Sequence, residues 1–101
     1  MNKKKIISEI QKYQQLLQQI KVQKQNLSFQ KEESLNAKNE LTQTKKSYKL
    51  VGDILVEKKK DDLKEELSLK IDNFNNQLKI LKENKNKIEE KLNNLQDKLK
   101  N

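Results

Sequence analysis

Apolar residues recur at alternating spacings of three and four along both halves of the chain. In the second half the stripe runs Leu67, Ile71, Phe74, Leu78, Leu81, Ile88, Leu92, Leu95 and Leu99, with one miss at Lys85. That alternation puts the apolar side chains on one narrow helical face, the a/d seam of a coiled coil. It predicts a helix over about 61–100, ~60 Å long at the α-helical rise per residue. Asp61 and Asp62 stand just before the stripe, and Asp62 with Glu65 has the form of a helix N-cap. The first half repeats the pattern more thinly: Ile6, Ile10, Tyr13, Leu17, Ile20 and Leu27, with Lys24 as the miss. Beyond Leu27 the second seam position changes, with Lys31 and Lys38 on the old track and Ala37 on a shifted one. Gln, Lys, Glu, Leu and Ala dominate this stretch, all good helix formers, so a helix over about 4–46 is expected.

Between the helices the style breaks. Residues 47–57 read Ser-Tyr-Lys-Leu-Val-Gly-Asp-Ile-Leu-Val-Glu, with the chain's only glycine in the middle. Gly-Asp between two apolar runs signals a β-hairpin, and glycine in the first central position suits a type II′ turn. A lone two-stranded hairpin is marginal in water, so its edges and apolar faces call for partners.

Folding the chain about Gly52 and Asp53 makes residues equidistant from the turn face each other. Ile6 then meets Leu99, Ile10 meets Leu95, Tyr13 meets Leu92 and Leu17 meets Ile88. The polar interruptions are staggered, since Ile20 opposes Lys85 and Lys24 opposes Leu81. Each lysine can lay its aliphatic stem over the seam and keep its ammonium in water. The predicted fold class is mainly α: a long antiparallel helical coiled-coil hairpin with a short β-hairpin at the bend. Phe29 and Phe74, near the seam, are expected to pack across it.

Composition narrows the functions open to such a chain. Of 101 residues, 38% are charged and 32% hydrophobic, too little apolar material for a compact two-layer core. There is no Cys and no His, hence no disulfide, thiol nucleophile, zinc finger or imidazole base. No cofactor is implied, and the acids fall on exposed helical positions, so an enzyme is not expected. No apolar run approaches a membrane span, and polar residues interrupt any signal-peptide core after Ile7, which makes the cytoplasm the expected location. Net charge is +8, all 23 basic residues are lysine, and the first half holds most of the excess. Lys3–Lys5 and Lys58–Lys60 could touch phosphates. Without Arg or aromatic platforms, however, the charge is better read as a solvated helix surface than as a nucleic-acid site.

The segment Tyr48-Lys49-Leu50-Val51-Gly52-Asp53-Ile54-Leu55-Val56 resembles the linker hairpin of beta-type prefoldin subunits. Tyr13–Ile20 with Val22–Gln25 is similar to their Gln-rich first helix, and Asp61, Asp62, Leu63, Glu65, Glu66 and Leu67 resemble the opening of their second helix. A single apolar hairpin segment places the chain on the beta side, since alpha-type chains have two. This resemblance, which covers nearly the whole chain, implies an ATP-independent co-chaperone. In such assemblies two alpha-type and four beta-type subunits join their hairpins into a double barrel. Six coiled coils hang from it, hold non-native client proteins at their tips and deliver them to a group II chaperonin.

Subunit assembly is accordingly expected at Tyr48, Leu50, Val51, Gly52, Ile54, Leu55 and Val56. Client contact is expected at Ile6, Ile7, Ile10, Leu92, Leu95 and Leu99, where frayed helix ends would bare the seam. From a different class, the alternative is a structural coiled-coil adaptor without client-holding activity, which would have no use for an apolar hairpin.

Overall fold

The computed structural model describes residues 3–100. Four elements follow one another: α1 (Lys3–Leu41), β1 (Ser47–Val51), β2 (Ile54–Lys58) and α2 (Lys60–Lys100). This is the expected helix–β-hairpin–helix order, with two long helices on either side of a two-stranded antiparallel sheet.

The turn is the one predicted. Gly52 has φ of 60° and no non-glycine residue among those described has a positive φ, the sign pattern of a type II′ turn and not of type I′. Strand pairing runs Val51 to Ile54, Leu50 to Leu55, Lys49 to Val56, Tyr48 to Glu57 and Ser47 to Lys58. Ser47 is buried, and its hydroxyl donates to the backbone carbonyl of Lys58, closing the base of the hairpin.

The helix limits differ from expectation. α1 stops at Leu41, about five residues early. Thr42 N–H donates to Asn39 O at 3.2 Å and Gln43 N–H to Glu40 O at 3.0 Å, a tightened last turn. The hydroxyl of Thr42 also donates to Asn39 O at 2.6 Å, and that of Thr44 to Leu41 O at 3.4 Å. Threonine hydroxyls thus take the terminal carbonyls that a continuing helix would have used. At the other end, α2 begins one residue beyond β2, with Leu63 N–H donating to Lys59 O at 3.1 Å. Asp62 therefore lies inside the first turn and does not cap it. Together with Asp61 it places negative charge at the positive end of the helix dipole.

The chain divides into two compact units. The terminal unit combines the chain up to Asn26 with the chain from Gln77 onward. Its core is Ile6, Ile10 and Leu95, with Tyr13, Leu92 and Leu99 packed against them. These are residues that the equidistance rule sets opposite one another. Ile20 is also buried, while Leu17, Leu81 and Ile88 are half-buried.

The hairpin unit is Leu27–Asn76. Its buried apolar residues are Leu63 and Ile71. Along α1 the seam does not shift after Leu27. Lys31 and Lys38 are half-buried and Ala37 is exposed, so the lysine stems hold the original track. Phe74 is half-buried, but Phe29 is 66% exposed and takes no part in the seam. Position 29 lies two residues past the seam position held by Leu27, which turns its ring away from α2.

Two measurements check this account. Ile10→Ala is expected to destabilise the chain by about 2–4 kcal/mol in denaturant unfolding, as a buried seam residue should. Replacing Gly52 with L-alanine is expected to cost about 1–2 kcal/mol, and D-alanine to cost far less. No atom lies within 4 Å of a Cβ built at Gly52, so the penalty is conformational and not steric crowding.

Candidate functional site

The hairpin is built to show apolar side chains. Alternation along β1 and β2 puts Tyr48, Leu50 and Leu55 on one face, and Val51, Ile54 and Val56 on the other. All six are exposed; Leu50, Ile54 and Leu55 are about two-thirds exposed, at 64%, 68% and 67%. Gly52 forms the turn between them. The assembly residues named from the sequence therefore form one contiguous apolar element that the rest of the hairpin unit leaves largely uncovered.

What holds this element was missed in the sequence. Lys49 on β1 donates from Nζ to Glu66 Oε2 on α2 at 3.0 Å. Lys58 on β2 approaches Glu66 Oε1 with its Nζ at 3.6 Å. One carboxylate thus ties both strands to the first turns of α2. The two lysines lie on the same face of the hairpin, as their strand positions require. The hydrogen bond from Lys49 lowers the Glu66 carboxyl below its ordinary value; desolvation opposes the shift, and the charges of Lys49 and Lys58 reinforce it. The signal available in the sequence was a lysine at position 49 between the apolar Tyr48 and Leu50.

Beside the hairpin, Leu41, Tyr48, Leu50, Leu55, Leu63 and Leu67 border an open groove of about 540 Å³. Apolar surface thus continues from the strands onto the adjoining turns of both helices.

The client-contact residues named from the sequence meet in the terminal unit, but most are closed. Ile6, Ile10 and Leu95 are buried, and Leu92 and Leu99 are half-buried against them. Only Ile7 of the six is exposed, at 45%. For the others, contact with another chain requires the helix ends to part. Among the described residues no group of three acidic side chains is placed to hold a metal, and no helix is long and apolar enough to cross a membrane.

Two long helices, stripe-packed and joined by a two-stranded hairpin with uncovered apolar faces, define a helix–β-hairpin–helix coiled-coil protein. The family model described as Prefoldin subunit matches residues 4–101, and the chain belongs to that family, a chaperone-type one. It is similar to prefoldin subunit beta of Archaeoglobus fulgidus, with 30% identity over 99 residues, covering 95% of this chain and 85% of that protein. It is also similar to the crystal structure of the prefoldin beta subunit from Thermococcus strain KS-1. That match has a TM-score of 0.88 and 29% identity, covering 95% of this chain and 87% of the other.

Glu66→Gln is expected to speed amide exchange in β1 and β2 while leaving the terminal unit unchanged. Because the carboxyl is held below its ordinary value, its contribution is present above the ordinary carboxylate range. It is lost as pH falls through the lowered value. Acidification should loosen the hairpin of the natural chain and have little further effect on the variant, as hydrogen exchange at two pH values will show.

Proposed function

We propose that the chain is a subunit of a hetero-oligomeric, ATP-independent co-chaperone. It assembles through its β-hairpin with alpha-type and other beta-type prefoldin subunits, holds non-native proteins with its coiled coil, and passes them to a group II chaperonin in the cytoplasm. The observation that carries this reading is the hairpin: six large apolar side chains stand exposed together in a chain that is otherwise mostly polar. Uncovered, such an element would associate indiscriminately. Closing hairpins from several chains into a barrel removes the open strand edges and buries both faces. With its bend occupied in this way, a subunit leaves its terminal unit available for clients. Weak contacts from several subunits then add through effective concentration.

No catalytic step is assigned. The relatives in Archaeoglobus and Thermococcus are described as prefoldin beta subunits, and the likeness extends over nearly all of this chain.

Native mass spectrometry of the tagged chain recovered from its own cells tests assembly. The expected species is a hexamer that includes an alpha-type companion. A homodimer without any companion would overturn the reading in favour of a coiled-coil adaptor. Holding of clients is tested separately with Ile6, Ile7 and Leu99 changed together to Ser. Suppression of aggregation should weaken while the oligomer mass stays the same. Undiminished suppression would remove the terminal cluster from the client site.

A further inference from the structure

The seam of the terminal unit has a gap. Lys24 and Lys85 occupy positions where the heptad calls for apolar side chains, and both are exposed. Their stems do not fill the seam as those of Lys31 and Lys38 do in the hairpin unit. Two grooves lie along this stretch, both bordered by Ile20, and Lys24 and Lys85 border the first of them. One, of about 370 Å³, is lined by Leu17 together with Lys24 and Lys85. The other, of about 390 Å³, is lined by Leu16, Leu81 and Ile88. Each has room for a large apolar side chain.

The borders of these grooves have a definite chemistry. Lys21 joins Lys24 and Lys85 around the first, and Lys87 and Lys91 edge the second. Against these five cations stands one carboxylate, Glu89, already 3.8 Å from Lys85. Between the grooves runs Tyr13–Ile20, an uncharged stretch in a chain that is 38% charged. Its Gln14, Gln15, Gln18 and Gln19 are all exposed. Each amide offers both donors and an acceptor, the groups that pair with an extended backbone.

We propose that this notch is a second contact site for non-native polypeptide, distinct from the cluster around Ile6 and Leu99. It accepts extended apolar segments that carry acidic residues beside the apolar ones. Leucine-like side chains enter the grooves, the glutamine amides meet the client backbone, and the lysines meet its carboxylates. The site lies about 21 Å along α1 from Ile6, at the helical rise per residue. The inference rests on the client-holding reading and adds the class of segment preferred.

The test uses the full chain and two short labelled peptides with the same leucines, one flanked by Glu and the other by Lys. Fluorescence anisotropy should show the Glu-flanked peptide binding about threefold more tightly or better, the order expected of a few exposed charge pairs. Lys24→Leu with Lys85→Leu completes the seam. This variant should melt at a higher temperature and bind the Glu-flanked peptide about fivefold more weakly, as expected when a partly buried apolar contact is lost. Lys24→Gln with Lys85→Gln removes charge without filling the gap, and should lose the preference between peptides while still binding both.

A photo-crosslinking residue placed at Gln18 should capture the peptide, and lose it when the seam is filled. The same residue at Ser8 should capture it in both backgrounds. Capture at Ser8 but never at Gln18, or affinity unchanged by filling the seam, would overturn the notch and leave client holding intact. Capture at neither position would overturn both.

Discussion

A two-residue turn decides which residue of one strand faces which of the other. The apolar material is sparse and confined to a stripe one heptad face wide, so the stripes stabilise the fold only if they meet. Gly52 and Asp53 fix the strand register from Val51 with Ile54 back to Ser47 with Lys58. The terminal core obeys the same count, since Ile6, Ile10 and Tyr13 join Leu99, Leu95 and Leu92. A slip of one residue would turn every strand side chain to the opposite face and rotate a helical residue by about 100°, off the seam. The positive φ of Gly52 is what the two-residue turn requires, and glycine is the residue that adopts it most cheaply.

The limited apolar surface is divided between two uses that oppose each other. Along the helical seam it is buried or half-buried and contributes stability. In the hairpin it is left largely outside, where it contributes less to the isolated chain. Polar residues make that second use possible. Ser47, Lys49 and Lys58 share a face with Val51, Ile54 and Val56: Ser47 pairs with Lys58 at the base, where its hydroxyl closes the strands, and Lys49 stands level with Val56, so that Glu66 collects both ammoniums. The hairpin is thus held by charge and hydrogen bonds at its base. Its apolar side chains need not turn inward to hold it.

Periodic features of the fold were legible in the sequence, and features set by particular contacts were not. The seam from Leu67 to Leu99, the hairpin and its turn type all follow from spacing or from the one glycine. The early end of α1 depends on where the hydroxyls of Thr42 and Thr44 point, and spacing does not record that. Asp62 had the pattern of a cap, but α2 already begins at Lys60, with Leu63 N–H donating to Lys59 O, so Asp62 lies inside the helix. Ala37 looked like the better seam residue by hydrophobicity, yet long lysine stems at 31 and 38 cover the seam instead. The Glu66 tie joins residues 17 apart in sequence, across two element types, and leaves no periodic trace. The exposure of the hairpin side chains was readable, because so apolar a run in so polar a chain has little else to pack on. The cluster of Ile6, Ile10 and Leu95 was readable from the seam, and its burial means that contact with another chain through it requires the helix ends to part.

That burial separates two ways in which a coiled coil can offer apolar surface. Around Ile6 and Leu95 the seam is closed, so any contact with another chain first costs the free energy of parting the helix ends. At Lys24 and Lys85 the sequence has already left the seam incomplete, and no such opening is needed. The arrangement of the two lysines matters here. Each opposes an apolar residue, Leu81 and Ile20 respectively, so the two ammoniums do not face each other across the seam. A facing pair would destabilise the terminal unit by repulsion and desolvation without exposing more apolar surface. Staggering them keeps Ile20 buried as a fixed floor and leaves Leu17, Leu81 and Ile88 half-covered beside it. The same heptad rule that closes the seam at one end therefore defines, by its two exceptions, where the seam stands open.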